Sequence, residues 1–294
     1  MIKIGIIVNH STRAGELDTC KICDYIEKKG GSCHKLKVRE ESAELMENFT
    51  DISELPEDAT CVMVFGGDGT IIQAARELAS KGIPILGVNL GTVGFLAEVE
   101  FEEIQQAIDT VFENKYSIEK RFMLSGRVIK EGKTVYEANA LNDIVVARGN
   151  LVRAIRTAVY IDGNPMKNVY GDGIIVTTPT GSTGYNLSAG GIIIMPDAEV
   201  FGIMPICPHS LDSRGVITSA SSKVDIAVEW NKKSEPEEAI VSFDGNKGIR
   251  LMPGDRVEIV KAELMVPFLR INDFKFFDSV RKKFILTTND SHHR

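Results

Sequence analysis

The sequence predicts an α/β domain built on a parallel sheet, followed by a β-rich domain. Three observations predict it. Up to about residue 112, apolar runs of strand period and of helix period alternate along the chain. Beyond residue 115, short β-branched runs follow one another with turn residues, and no helix, between them. Two glycine-rich loops leave the carboxyl ends of strands in the first half, which is where open α/β sheets bind ligands.

Lys3–Val8 alternates into the first strand, and Leu17, Cys20 and Ile26 give the next helix its apolar face. Residues 32–38 read as a second strand and 42–49 as a short helix. Cys61–Phe65 is the third strand, apolar along its length as in a sheet buried on both faces. It breaks into Gly66-Gly67-Asp68-Gly69-Thr70, and a helix follows with Ile71, Ile72, Ala75 and Leu78 at helical spacing. That helix stops at Lys81-Gly82, with Pro84 beyond. Residues 84–88 form the fourth strand and lead into Asn89-Leu90-Gly91-Thr92-Val93-Gly94-Phe95. One more helix covers 101–112. The boundary is placed in Glu113-Asn114-Lys115. Strands are then expected at 125–129, 141–147, 155–161, 174–178, 224–228, 239–243 and 257–260. After Val266-Pro267 the chain mixes apolar and basic residues, as if to pack back on the first domain. The expected division is 1–115 for the α/β domain, 116–267 for the β-rich domain and 268–294 for a C-terminal segment.

The totals narrow the function. With 43% hydrophobic and 26% charged residues in 294, the chain is a soluble globular protein able to form a substantial core. A net charge of −7 argues against nucleic acid or an anionic membrane as partner. No segment is long enough to span a membrane and no signal peptide opens the chain, so a cytoplasmic location is expected. Five cysteines, an odd number, suit a reducing compartment. Cys20-Lys21-Ile22-Cys23 has CxxC spacing but no second pair to complete a zinc site, and reads as two ordinary helix residues. His34 and the His292-His293 tail read as strand and surface residues.

The glycine turn carries the chemistry of the first domain. Three glycines in four positions let backbone amides approach a ligand, and the new helix aims its positive end at the same place. Asp68 stands among them. A carboxylate in a phosphate-binding turn repels its own ligand unless it faces a metal ion or accepts a proton from a substrate hydroxyl; otherwise it simply suits a tight turn.

The β-rich domain has its own unusual passage. Gly171-Asp172-Gly173 precedes a strand, and of the thirteen residues 179–191 eight are Gly, Ser or Thr. Apolar runs read as strands flank the passage on both sides. Such a segment on a rigid sheet offers the hydroxyls and backbone groups that a nucleoside's ring nitrogens and ribose need. Tyr185 could stack on a base, and Asp172 could accept from an amide or hydroxyl. Asn142-Asp143, opening the strand at 144–147, reads equally as a turn or as a binding pair.

Together these pieces resemble the NAD kinase family. The family pattern of GGDGT after a strand, a GNLGxLGFL-like loop, an Asn-Glu/Asp pair and Asp-Gly followed by TPTGSTAY appears here in order. The matching stretches are GGDGT at 66–70, GVNLGTVGFLAEV at 87–99, LNDIVVARG at 141–149 and YGDGIIVTTPTGSTGYNLSAGG at 170–191. PICPHSL at 205–211 and SFDGN at 242–246 add to them. GGDGT alone is shared with diacylglycerol kinases and 6-phosphofructokinases, whereas TPTGSTGY is specific. Gly184 replaces the usual Ala, Gly215 stands where Pro is usual, and Thr92-Val93 where bulkier or basic residues are common.

The resemblance implies an α/β domain followed by a β-rich domain with the active site between them. It also implies transfer of the ATP γ-phosphate to the 2′-hydroxyl of the adenosine ribose of NAD, with a divalent metal, Mg²⁺ foremost. Asp68, with Gly69 beside it, would match the catalytic acid that draws the proton from that hydroxyl. Asn142, Asp143, Asp172, Thr183, Gly184, Tyr185, Asn186, Leu187 and Ser188 would bind NAD, with Arg153, Tyr170 and Asn246 as further contacts. No residue is assigned as a metal ligand. A homo-oligomer, dimer or tetramer, is implied, associating through the β-rich domain so that Asp244 or Asn246 reaches a neighbour's NAD. Two other classes remain in view: a regulator that binds dinucleotides without turnover, and a lipid kinase sharing GGDGT. The first gains nothing from Asp68, and the second leaves 178–191 unexplained.

Overall fold

The computed structural model describes residues 1–8, 19–37, 50–91, 94–149, 153–210, 212–229, 238–246, 248–271 and 276–290. The helix expected at 42–49, Leu17, Thr92-Val93 and the His292-His293 tail lie outside them. The chain divides into two compact units, residues 1–121 with 265–294, and residues 122–264.

In the first unit, strands β1 (Lys3–Val8), β2 (Ser32–Lys35), β3 (Cys61–Phe65), β4 (Ile85–Asn89) and β5 (Val99–Glu100) lie in the order β2-β1-β3-β4-β5, each pair parallel. Residues 265–270 return beside β4, with Phe268 opposite Ile85. Helices α1 (Thr19–Lys28) and α2 (Asp68–Leu78) supply the crossovers from β1 to β2 and from β3 to β4 that parallel pairing requires, and α3 (Ile104–Phe112) follows β5. Because strand side chains alternate, Ile4, Ile6, Cys61, Met63, Phe65 and Leu86 face one side, where Ile22 and Ile26 of α1 and Ile104 and Ile108 of α3 pack on them. Helix α2 covers the other side: its Ile71 comes so close to β4 that a Cβ on Gly87 would stand 2.7 Å from the Ile71 methyl. The inward face of α2 is Ile71, Ala74, Ala75 and Leu78. Ile72, expected on that face, is only half-buried, because the i, i+3, i+4, i+7 series that meets the sheet starts one residue earlier. Burying Ile71 and Leu78 stabilises the unit by about 1.5–3 kcal/mol each. The helix ends as its sequence indicates, through a 3₁₀ turn to Gly82 at φ 63°.

Buried Glu98 anchors the returning segment. It accepts from the Arg270 guanidinium at 2.7 Å and from the Ile271 N–H at 3.1 Å, while Arg270 also reaches Glu119 at 2.6 Å.

One expectation about this unit is overturned. Cys23 is not an ordinary helix residue; it is disulfide-bonded to Cys33 of β2, with Cα atoms 5.2 Å apart. Helix α1 lies against β2, so the helix face that carries Cys23 meets the strand. An odd cysteine total therefore says nothing about a reducing compartment here. His34 is a strand residue, sharing a hydrogen bond with Ser32 at 3.1 Å.

The β-rich region comprises β6 (Ser117–Lys130), β7 (Lys133–Ala140), β8 (Asp143–Arg148), β9 (Ile155–Ile161), β10 (Asn164–Gly171), β11 (Gly173–Thr177), β12 (Val200–Ile206), β13 (Val216–Ser219), β14 (Val224–Glu229), β15 (Ala239–Phe243), β16 (Ile249–Leu251) and β17 (Arg256–Arg270). One antiparallel sheet runs β13-β12-β11-β8-β15-β16. A second runs β10-β9-β14-β17, and β6 and β7 form a hairpin. Strands β7, β10, β13 and β16 escape the sequence reading because they bury few side chains and so carry little apolar alternation. Strand β12 escapes it because Gly202 and Pro205 interrupt its apolar run. Residues 192–194, read as a strand after the polar passage, are irregular; the next strand begins at Val200. A single helical turn, α4 (Tyr185–Ser188), and the C-terminal helix α5 (Phe276–Asp290) complete the fold.

Candidate active site

The first unit contributes the glycine turn after β3. Gly67 caps α2 in extended conformation, φ −87° and ψ −178°, and Asp68 is the first residue of the helix. Its half-exposed carboxylate accepts the Phe95 N–H at 2.9 and 3.1 Å and the Leu96 N–H at 3.1 Å. Asp68 thus ties the second glycine-rich loop to the first. Gly94 makes this possible, since a side chain there would collide with the carboxylate. By contrast, a Cβ on Gly67 or Gly69 would meet nothing within 4 Å, so packing does not require glycine at either. That space lies in front of the amino end of α2, where backbone N–H groups and the helix dipole favour an anion. Lys283 of α5 places its ammonium 4.9 Å from the centre of the Phe95 ring, on the same loop.

The second unit gathers its groups at one end, and over one face, of the six-stranded sheet. β8 starts where β11 and β15 end, so Asp143 pairs with Thr177 and Ile144 with Phe243. Asp244, just past β15 at φ 50°, turns its carboxylate onto three backbone donors: the N–H groups of Leu141 at 2.7 Å, Asn142 at 2.7 Å and Asp143 at 3.1 Å. The Asn142 carbonyl accepts from Thr178 N–H at 2.8 Å and Thr177 Oγ1 at 3.2 Å. Gly181 passes so close to this backbone that a Cβ would strike Asn142 itself. With its main chain fully engaged, Asn142 presents a side-chain oxygen, Oδ1, that is buried and unpartnered. Its amide nitrogen lies 3.5 Å from where a Gly184 Cβ would be, so Ala there would touch it.

Asp143 is 6% exposed. Burial, and then the Asp244 charge, push its carboxyl up to about 7. Two residues along β8, Val145 packs with Ile175 and Ile206 beneath Ala189, so the polar passage folds back over the face that carries Asp143. The passage is compact. Ser182 Oγ donates to Pro179 O at 2.7 Å, and buried Asn186 donates to Ser182 O and Ile192 O at 3.0 Å each. Asn186 is thus a brace within the passage, while Tyr185 and Ser188 are exposed on it. The Tyr185 phenol is raised by partial burial and then by the charges of Cys207, Asp172 and Asp143. Asp172 pairs with Arg148 Nε at 3.1 Å at the far end of β8 and β11.

Three further expected residues lie on neighbouring elements. Tyr170, on the other sheet, packs edge-on to His209 at 4.7 Å and under Arg156 at 4.7 Å. Arg153 is exposed just before β9, and Asn246 closes the turn after β15 through its N–H to Phe243 O at 3.1 Å. Asp244, named with Asn246 as a residue that could reach a neighbour's ligand, has both carboxylate oxygens engaged by backbone N–H groups of its own chain. Only its SFDGN context hinted at a role.

The motifs and the fold agree with known proteins. Residues 5–116 match the model of the ATP-NAD kinase N-terminal domain and residues 141–271 that of the ATP-NAD kinase C-terminal domain. The chain belongs to the NAD kinase family. It is 44% identical to the NAD kinase of Lachnoclostridium phytofermentans, over 97% of this chain and 99% of that one. It is 39% identical to that of Ruminiclostridium cellulolyticum, over 96% and 98%. Among solved structures it resembles an NAD kinase from Archaeoglobus fulgidus in complex with ATP, with a TM-score of 0.73, 25% identity and 95% and 99% of the two chains covered. The fold is also that of yeast NADH kinase complexed with NADH, with a TM-score of 0.79, 22% identity and 97% and 87% covered. For this NAD kinase family member, the N-terminal match lies within the α/β unit, and the C-terminal match covers most of the β-rich unit and runs on into residues 265–271.

Proposed function

We propose that the chain transfers the γ-phosphate of ATP to the 2′-hydroxyl of the adenosine ribose of NAD, giving NADP and ADP. The observation that carries this reading is Asn142 Oδ1, a buried acceptor without a donor in the strand-end cluster that the polar passage closes over. Native structures pair nearly all such atoms, and an exocyclic amino group of adenine is a suitable partner. Asp143 and Ser188 accept from ribose hydroxyls, Tyr185 offers a face for stacking, and the main chain of Thr183, Gly184 and Leu187 shapes the passage around the nucleoside. Arg153, Tyr170, Asp172 and Asn246 extend the contacts to the rest of the dinucleotide.

Phosphoryl transfer asks a protein chiefly to align the reactants and neutralise developing charge. Asp68 is the general base that takes the 2′-hydroxyl proton, held in position by the Phe95 and Leu96 amides. The open space before α2, at Gly67 and Gly69, receives the phosphates. Among the described residues no group of three or more His, Cys, Asp and Glu could cage a metal ion. Mg²⁺ nevertheless fits, because it needs only one or two carboxylates together with substrate phosphates, and Asp68 is the carboxylate at hand. When bound it supplies neutralisation of the phosphate charge.

Association into a dimer or tetramer through the β-rich unit is supported by Ile192, Met195, Val216 and Ile217, large apolar side chains all more than a third exposed. A fully active monomer by light scattering would overturn it. Nucleic acid and anionic membranes are not partners on this reading, which the net charge of −7 supports. A cytoplasmic location follows from the substrates. The test of the activity is direct: purified chain, ATP, Mg²⁺ and NAD, with product read by an NADP-specific dehydrogenase. Product dependent on all three supports the reading. Binding of NAD without product would instead favour the dinucleotide-binding regulator.

A further inference from the structure

Three cysteines of the first unit lie on one seam. Cys20 and Cys23 are three residues apart on α1 and share a helix face, while Cys33 and Lys35 are two apart on β2 and share a strand face. The two faces meet twice: Cys23 is bonded to Cys33, and Lys35 Nζ donates to Cys20 Sγ at 3.2 Å. Accessibility differs along the seam. Cys23 is buried, Cys33 half-buried and Cys20 exposed as a free thiol.

We propose that Cys20, Cys23 and Cys33 form a thiol–disulfide exchange site for a low-molecular-weight thiol, with Cys20 as its point of entry. The Cys20 thiolate, with the Lys35 positive charge beside it, attacks Cys23 Sγ. A Cys20–Cys23 bond forms, the Cys23–Cys33 bond breaks, and Cys33 leaves as thiolate and takes a proton from water. The new bond is sterically allowed: residues three apart on a helix have Cα atoms roughly 5 Å apart, inside the range disulfides span. An external thiolate then attacks Cys20, releasing Cys23 as thiolate. A second external thiol displaces Cys20, leaving one external disulfide and three protein thiols: Cys33 and Cys23, newly freed, and Cys20, regenerated. Electrons balance throughout, since two external thiols are oxidised and one protein disulfide is reduced. The outcome is that the covalent tie between α1 and the edge strand β2 opens through a sulfur that solvent reaches, although Cys23 itself is covered.

The remaining cysteines serve as internal controls. Cys61 is fully buried in β3, where burial pushes its thiol up to about 12, and it stays unreactive. Cys207 is exposed in the second unit and reports reaction at an ordinary surface thiol.

The full chain is equilibrated in reduced and oxidised glutathione, quenched in acid and mapped by peptide mass spectrometry. In Cys33→Ser under oxidised glutathione, a Cys20–Cys23 bond is expected; glutathione adducts or free thiols at both positions would overturn the proposal. In Cys20→Ser, reduction of the Cys23–Cys33 bond should slow by about tenfold, because an intramolecular thiol has been replaced by an intermolecular one. A change smaller than threefold would show that glutathione attacks Cys33 directly and would equally overturn it. These readouts do not depend on the kinase activity.

Discussion

The α/β unit and the β-rich unit each hold a carboxylate that the sequence singles out, Asp68 in the one and Asp143 in the other, and the structure treats these two in opposite ways. Asp68 opens a helix, is half-exposed and is held by two backbone amides of a neighbouring loop. Asp143 opens a strand, is almost wholly buried, and lies beside a second carboxylate that raises it further. The difference follows from topology. A parallel βα turn builds its site from residues next to each other in the chain, at the open end of a strand. An antiparallel sheet builds one from several strand ends that come together at a single edge, here those of β8, β11 and β15. Local construction leaves a carboxylate free to meet solvent and substrate; convergent construction buries it and makes its charge depend on its neighbours.

The strongest way to break the comparison is to remove the charge of Asp68. Asp68→Asn keeps the size and one acceptor but cannot take a proton, so kcat should fall by about 10²–10⁴ while NAD affinity stays within a few-fold. The amide end of Asn faces one of the Phe95 and Leu96 N–H donors, so the melting temperature should drop by a few degrees as well. Near-normal turnover in this variant would reduce Asp68 to a turn residue. Substantial recovery at raised Mg²⁺ would make it mainly a metal-facing group.

Asp244 probes the convergent site. Asp244→Ala strips the acceptor from three backbone N–H groups that set the position of Asn142 and Asp143. Leaving buried donors unsatisfied costs about 1–3 kcal/mol each. NAD dissociation should therefore rise by about 10–100-fold, measured by calorimetry, with kcat at saturating NAD much less affected. If both parameters kept their native values, the three hydrogen bonds would not position the site.

How much of this was legible follows the same divide. The first unit could be read almost in full, because period-two and period-3.6 runs, Gly82 as a stop and the GGDGT turn are all local signals. What escaped there was the short strand β5, the strand that residues 265–270 add beside β4, and tertiary detail: the register of α2 on the sheet, the Cys23–Cys33 bond, and the grip of the Phe95 and Leu96 amides on Asp68. In the second unit the polar passage 178–191 stood out by composition. The device that holds Asn142 did not, since Asp244 lies about 100 residues away in the chain and no period or spacing links the two. Asn186 shows the reverse case: a residue inside the right motif whose amide nitrogen braces the passage.

Tyr185 sharpens the contrast at smaller scale. The residue is 45% exposed, an aromatic side chain left open on an otherwise folded-down passage. If it stacks on a base, Tyr185→Ala should weaken NAD binding by about 1–3 kcal/mol, and Tyr185→Phe should restore it. Equal affinity of all three forms would remove stacking from the recognition.

The smallest effect expected, and the one that tests burial most directly, is the pH dependence of Asp143. Its carboxyl is raised from 3.8 to about 7 in the folded chain, by burial first and by Asp244 second. A raised acid favours the folded state while it is protonated, so its contribution is fully present below about pH 3.8 and is lost as pH rises through 7. Asp143→Asn, which is never charged, should accordingly be more stable than the native chain at pH 8 and lose that advantage near pH 4, as read by thermal melts. Ligand binding should respond in the opposite sense. Ribose hydroxyls donate better to the ionised carboxylate, so NAD binding below pH 7 must expel a proton. Affinity should rise up to tenfold between pH 6 and pH 7 and level off above pH 8, and the slope should vanish in Asp143→Asn. A native profile flat from pH 6 to pH 8 would mean that Asp143 is already ionised in the free chain. Burial would then not set the charge of Asp143, and the contrast between the two sites would fail.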